Sequence, residues 1–234
     1  MRIFNLRFIL KLFKLSAYFF LIDFKTSASV LFYSLQSRIR VIKYQLSGHK
    51  IISLKEFTND NNSQLLFILA SGPSINEITK NQWEFIESNE SWGFNNWYLH
   101  DFVPNRYFVQ SEIKSRKNLN YFFIMDSLMK EIVLKKRNLY KHVKFYIRGD
   151  NVNKYKFHKS QFGETILNSK LNYCFMPELV LRSKNKIRPY KVMVKMFELG
   201  FFTKNSNIMS IPKFGNTITE LISLALMNGY KKII

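Results

Sequence analysis

"LLFILASGPSINEIT", residues 65–79, decides the fold of this chain. Leu65 to Ala70 is an apolar run without the polar alternation of a half-exposed strand, as expected for a strand buried on both faces. It stops at Ala70-Ser71-Gly72-Pro73-Ser74 and passes straight into a helical pattern. Gly72 permits a tight turn that leaves backbone N–H groups uncovered. Pro73 suits a first helical turn, where its missing N–H would have been unpaired anyway. Ser74 and Glu77 have the spacing of a capping box. The stretch therefore predicts a strand, a small-residue turn and a helix over Ile75 to Ser88, with Ile78, Trp83 and Ile86 facing inward. Such a helix start points N–H donors and a positive dipole end above the sheet, which favours an anion. The same residues also suit a strand-to-helix connection that binds nothing. The turn is neither the six-residue glycine fingerprint of dinucleotide-binding folds nor a P-loop, because no Gly-Lys-Ser/Thr follows.

Downstream, strand-like and helix-like segments alternate. "SWGFNNWYL" (91–99) predicts a short strand ending at Phe94, followed by polar Asn95 and Asn96. "PNRYFVQS" (104–111), "HVKFYIRG" (142–149) and "LNYCFM" (171–176) are further strands. Residues 121–137 have helical periodicity, with Lys130, Lys135, Lys136 and Arg137 towards the end that complements a dipole. In "SNIMSIPKFGNTITELISLALMNGYKKII" (206–234) a strand runs to Ile211 and a helix follows to about Asn228. Asn216 or Thr217 caps that helix, Thr217 and Glu220 again having capping-box spacing. Gly229 ends it, and Lys231 to Ile234 begin a new strand. The alternation predicts an α/β fold with a mainly parallel sheet and flanking helices. A chain that stops on an apolar strand is expected to be truncated at its C-terminus.

With 234 residues, 47% of them hydrophobic, the chain can bury a core in one domain of ordinary size. The single Cys174 excludes an intramolecular disulfide framework and a cysteine metal cluster. The net charge of +20 implies anionic partners: nucleic acid, a membrane surface or a phosphorylated substrate. The abundance of Lys, Asn, Ile and Phe also fits the codon bias of an AT-rich genome, so the charge alone identifies no partner.

Its distribution says more. Residues 1–44 carry Arg2, Arg7, Lys11, Lys14, Lys25, Arg38, Arg40 and Lys43 against a single acid, Asp23. On a helix Arg7, Lys11 and Lys14 share one stripe, and Phe8, Leu12 and Leu15 another. A basic amphipathic helix of that kind lies in the headgroup layer of an anionic bilayer; the alternative is plain packing against the globular domain. Asp23 and Lys25 interrupt the apolar run from Leu15 to Phe24, which falls short of the roughly 20 residues of a spanning helix. A secretory signal is a poor fit, because charged and apolar residues are mixed and no clear small-residue cleavage site follows. The expected organisation is a basic amphipathic helical segment over residues 1–60 and a nucleotide-binding sheet domain over 61–234.

Taken together, "FILASGPSINEI", "WGFNNWYL", "PNRYFVQ" and "FGNTITELISLALMNGYKKII" resemble, in order and approximate spacing, the bacterial sialyltransferases that use a CMP-activated sugar in lipooligosaccharide and capsule synthesis. They are similar as well to a broader Rossmann-like group that contains the motility accessory factors. The resemblance covers roughly 65–111 and 207–234. In those enzymes a strand leads into Gly-Asn-Gly-Pro-Ser, a second strand ends in an Asn beside the nucleotide, and a Thr-Ser-Gly loop opens a helix finishing in Gly-Tyr-Lys. The resemblance implies that Ser71 and Gly72, with Pro73 and Ser74, face the CMP phosphate and ribose. It implies that Asn95, with Asn96, holds the nucleotide or donor sugar, and that Asn216 and Thr217 contact the donor. Bends near 72 and 216 would thus join two helix N-termini into one nucleotide cradle over the carboxyl ends of the strands. A neutral polar pocket of this kind needs no metal and no cofactor.

The chain departs from the family at Ala70 and Ser71, where Gly and Asn stand, and at Asn216-Thr217-Ile218, in place of Thr-Ser-Gly. The family's leaving-group tyrosines and its His base lie beyond the point matching Ile234, so the implied transferase is catalytically incomplete in this form. Of His49, His100, His142 and His158, His100 beside Asp101 is best placed, although such surface pairs are more often structural. The implied partners are a nucleotide-sugar donor, a glycan or glycolipid acceptor and an anionic membrane surface, at the cytoplasmic face of a bacterial inner membrane. A phosphotransferase or pyrophosphokinase-like protein of the same fold is the second expectation, with Asp101 and Asp150 as candidate metal ligands. A basic nucleic-acid-binding protein is the third: "KHVKFYIRGDNVNKYKFHK" (141–159) interleaves aromatics with Lys, although a charged surface explains that stretch better.

Overall fold

The structure, a computed structural model, describes residues 24–46, 63–110 except Ser71, 130–149, 171–180, 187–200, 211–213 and 216–234, together with scattered positions between 10 and 17 and between 48 and 57. Its centre is a sheet of seven strands: β1 (Leu65–Leu69), β2 (Glu90–Phe94), β3 (Arg106–Gln110), β4 (Lys144–Gly149), β5 (Asn172–Val180), β6 (Ile211–Lys213) and β7 (Lys232–Ile233). Every neighbouring pair is parallel, in the order β6-β5-β4-β3-β2-β1-β7. The described helices include α1 (Phe24–Leu46), α2 (Lys80–Glu87), α3 (Arg137–Tyr140), α4 (Ile187–Glu198) and α5 (Thr217–Asn228). The chain is an α/β protein of Rossmann-like arrangement.

The strand sequences explain the layering. Successive side chains of a strand point to opposite faces, so a strand covered on both sides must be apolar at every position. In β4, Phe145 and Ile147 enter one core cluster and Tyr146 the other; in β1, Phe67 and Leu69 face one side and Leu66 the other. From β1 to β6 each strand lies beside its predecessor, all stepping in one direction. α2 covers one face through Ile86, together with Val133 and Tyr140 of the segment before β4. The other face is closed by α5, through Leu221, Leu224 and Ala225. This helix carries the chain back across the sheet from β6 at one edge to β7 beside β1. Gly229 ends α5 with φ +82°, in the left-handed region that glycine enters without penalty. Ile234 then exchanges hydrogen bonds with Ile68 and Leu66.

Residues upstream of 61 are built into this body. Ile51 bridges to Phe175 on β5, and Phe57 is fully buried against Trp92, Phe108 and Tyr146. Arg106, at the start of β3, is buried on the Phe57 ring, pairs with Glu90 at 2.6 Å and donates to the Phe57 carbonyl at 3.2 Å. These contacts lock the N-terminal end of the sheet. The first half of the predicted 121–137 helix lies outside the described residues, as do Phe8, Leu12 and Leu15 with Arg7 and Lys11; residues 130–135 are helical.

Candidate functional site

In a parallel sheet ligands bind at the carboxyl ends of the strands, and three of the expected elements lie along that rim. The first is the turn after β1. Gly72 donates its N–H to Ala70 O at 2.9 Å, and Pro73–Glu77 form a five-residue 3-10 turn. The expected helix from Ile75 is therefore split. Ile78 is extended, and the helix proper starts only at Lys80, capped by Thr79. The capping box is Thr79 with Gln82, whose side chain accepts the Thr79 N–H at 2.8 Å, and not Ser74 with Glu77. Nor is Gly72 sterically obliged: its φ is −88°, and an added Cβ would meet only Ser74 Oγ at 3.8 Å. Its N–H is committed to Ala70 rather than left uncovered. Pro73 and Ser74 are exposed; Ser71 lies outside the described residues.

The second element follows β2, one strand away. Leu69 is level with Gly93, so the chain leaves β1 and β2 side by side. Asn95 has φ +52°, the left-handed conformation that a non-glycine residue adopts at a cost and that Asn tolerates better than most. A buried tyrosine holds it there. Tyr107 on β3 donates its hydroxyl hydrogen to Asn95 O at 2.6 Å and accepts the N–H of Tyr98 at 2.9 Å. Burial pushes the ionisation of that hydroxyl well above its ordinary range, so it stays a donor. Gly93 closes the support: a Cβ there would lie 2.7 Å from Pro104 Cγ and 3.0 Å from Trp97 Cδ1. The Asn95 side chain is exposed at the rim and Asn96 is half-buried beside it.

The third element is the start of α5. Asn216 is the N-cap, accepting the Thr219 N–H at 2.9 Å and the Thr219 hydroxyl at 2.6 Å. Thr217 Oγ1 accepts from Arg148 Nη2 at 3.0 Å, and Arg148 Nη1 donates to Glu220 Oε2. The second expected capping box is thus absent too: Glu220 turns inward to a buried arginine instead of back to its own helix end. Because Arg148 is the penultimate residue of β4, its guanidinium ties the first turn of α5 to the carboxyl end of that strand. In the sheet β4 stands three strands from β1 and two from β2.

Two helix ends converging on a single point are therefore not what the chain builds. The turn after β1 offers no long helix, and the first turn of α5 is tied to β4, three strands along the sheet. What the rim does bring together is the β1 turn and Asn95-Asn96 on adjacent strands, with Asn216 and Thr217 flanking them across the end of β3.

His100 is not set up as a base. Its ring lies 4.8 Å from Trp97 and 4.9 Å from Trp83, and its Nδ1 accepts the Phe102 N–H at 3.1 Å. Burial is the main cause that lowers its pKa, with Lys136 acting in the same direction and Asp101 against it. Asp101 is exposed and held by Lys136 Nζ at 2.8 Å, an ion pair that keeps the carboxylate below its ordinary range. Asp150, His49 and His158 lie outside the described residues, and among those described no group of three metal-ligating side chains occurs.

Arg148, Glu220 and Tyr107 were not candidates on sequence. A signal for Arg148 exists: alternation in "KFYIRG" puts it on the inward face that Tyr146 shares. Glu220, next to Leu221 and four residues before Leu224, similarly falls on the apolar face of α5. Comparison of the chain with protein-family models, curated proteins and solved structures gave no match.

Proposed function

We propose that the chain is a glycosyltransferase-like protein of surface-polysaccharide synthesis that binds a CMP-activated sialic or related nonulosonic acid along the rim from β1 to β4. The observation that carries the reading is Asn95: a left-handed residue just past the end of a parallel strand, fixed by the buried Tyr107 hydroxyl, with its own amide presented outward. A backbone held in such a conformation by dedicated contacts is a device found at ligand sites. The spread of the rim elements favours an elongated ligand. A nucleotide joined to a sugar reaches from the β1 turn past Asn95 to α5, whereas a lone phosphate does not. Asn95 and Asn96 offer neutral amide groups to base, ribose or sugar, and Ser71, Gly72 and Ser74 flank the phosphate. The Oδ1 of Asn216 is committed to its cap, so its remaining N–H groups and the α5 terminus face the donor. No metal is required in this scheme.

Glycosyl transfer needs a base at the acceptor hydroxyl, and His100, whose ring lies against Trp97 and Trp83, is not set up to supply it. The acceptor is a glycan or glycolipid at the inner face of the cytoplasmic membrane. Calorimetric titration with CMP and a CMP-sugar, beside ATP and GTP with magnesium, tests the reading. Saturable heat with the cytidine ligands, unchanged by chelator, is the expected result. Magnesium-dependent heat with ATP or GTP alone would move the chain to the phosphotransferase class.

A further inference from the structure

We infer that His100 is a positioning residue of the rim: its imidazole ties the turn that presents Asn95 and Asn96 to α2, the helix that follows the β1 turn. Beyond Asn96 the chain folds back on itself. Leu99 N–H donates to Asn96 O at 3.0 Å, and His100 N–H to Trp97 O at 2.8 Å. The returning segment is then gripped by two side chains of the outgoing one. Trp97 Nε1 donates to Phe102 O at 2.9 Å, and His100 Nδ1 accepts the Phe102 N–H at 3.1 Å. Both backbone groups of Phe102 thus end on the segment from Trp97 to His100. That segment is continuous with the left-handed Asn95, since the Tyr107 hydroxyl serves Asn95 O and Tyr98 N–H together.

The imidazole also reaches out of the loop. Its ring lies 4.9 Å from that of Trp83 on α2, and Trp83 stacks on Phe102 at 5.0 Å. Helix α2 therefore meets the loop at both residues that the Nδ1 bond joins. The carbonyl of His100 accepts from Lys136 Nζ at 3.2 Å, which brings the segment before β4 to the same residue. Apolar packing alone would be served as well by Phe, whose ring fills such a slot but offers no acceptor to the Phe102 N–H. An imidazole that faces an N–H through Nδ1 carries its own proton on Nε2, so it supplies ring and acceptor at once. In the proposed function the β1 turn and the Asn95 turn flank one ligand, and a tie that holds them before the ligand arrives lowers the ordering cost of binding. The inference rests on that reading for its ligand; the tie itself is measurable without one.

Two variants separate the roles of the ring: His100→Phe keeps an aromatic ring without the acceptor, and His100→Asn keeps an acceptor without the ring. Amide exchange of the ligand-free full chain comes first. In the parent the Phe102 amide should exchange at least about tenfold more slowly than in an unstructured peptide. An unprotected Phe102 amide would overturn the inference, whether or not either variant folds. His100→Phe should speed exchange between Asn95 and Val103 by at least about tenfold, and His100→Asn by no more than about twofold. Calorimetric titration with CMP then reads the consequence at the site. His100→Phe should bind at least about fivefold more weakly than the parent, and His100→Asn within about twofold of it. Equal losses in the two variants, unchanged exchange in His100→Phe, or parent-like CMP binding by His100→Phe would each overturn the inference. A parent that binds no CMP would remove the nucleotide-sugar reading and leave the exchange data to decide the tie.

Discussion

Arg148 on β4 and Glu220 on α5 form an ion pair with both side chains 1% exposed, and the same guanidinium donates to Thr217 in the first turn of that helix. These two contacts tie the first turn of the returning helix to β4. Removing one partner leaves the other charge buried, which costs about 3–5 kcal/mol, whereas replacing both by apolar groups is often close to neutral. Arg148→Met and Glu220→Leu should each lower stability in urea by about that amount. The double variant should recover most of the loss. Additive losses would mean that each side chain is held by other groups.

Gly93 and Gly72 should respond oppositely to alanine. At Gly93 the new methyl group meets Pro104 and the Trp97 ring inside van der Waals contact, and Gly93→Ala should cost about 1–3 kcal/mol, as overpacking does. At Gly72 the backbone is one that any residue adopts and the space is open, so Gly72→Ala should change stability by no more than about 0.5 kcal/mol. Chemical denaturation of both variants makes the comparison.

The Asn95 turn can be loosened from beneath. Tyr107→Phe removes the hydroxyl shared by Asn95 O and Tyr98 N–H, leaving a buried N–H unmet, at a cost of about 1–3 kcal/mol. Asn95→Gly keeps the left-handed backbone and should be close to neutral in stability, while Asn95→Ala should cost about 1 kcal/mol. All three should weaken nucleotide binding. If Asn95→Gly binds CMP as the parent does, the Asn95 amide takes no part.

His100 sets a pH dependence. Its pKa is lowered in the folded state, chiefly by burial, so the unfolded chain takes up a proton first as pH falls below the ordinary value of 6.5. Stability is then present in full above that value and is lost as pH falls through it towards the folded pKa. His100→Asn, whose amide oxygen can still accept the Phe102 N–H, should flatten the decline of thermal midpoint between about pH 7 and pH 5. An unchanged slope would place the titrating group elsewhere.

The strands and the helix ends that punctuate them were legible because their signals are local. Leu65–Leu69 and Phe145–Ile147 are apolar runs, and Asn216 and Gly229 bracket α5 by capping chemistry alone. The break at Ile78 was not legible, because Ser74 and Thr79 both head plausible capping boxes and only the packed structure selects Thr79. The geometry of the site was hidden for a different reason. Whether the bends near 72 and 216 meet depends on strand order, and α5 returning across five intervening strands is a property of topology that local spacing does not encode. Arg148 and Glu220 are 72 residues apart, and a buried charge reveals its purpose only beside its partner.

Hydrogen–deuterium exchange in the presence of a saturating CMP-sugar addresses the central claim most directly, since it reports on all three rim elements at once. Protection should rise together in the peptides that contain the β1 turn through Thr79, Asn95 to Leu99, and Asn216 to Glu220, while the N-terminal sheet end around Arg106 stays unchanged. Protection at only one of these elements, or none at millimolar ligand, would contradict a nucleotide-sugar site spanning β1 to β4.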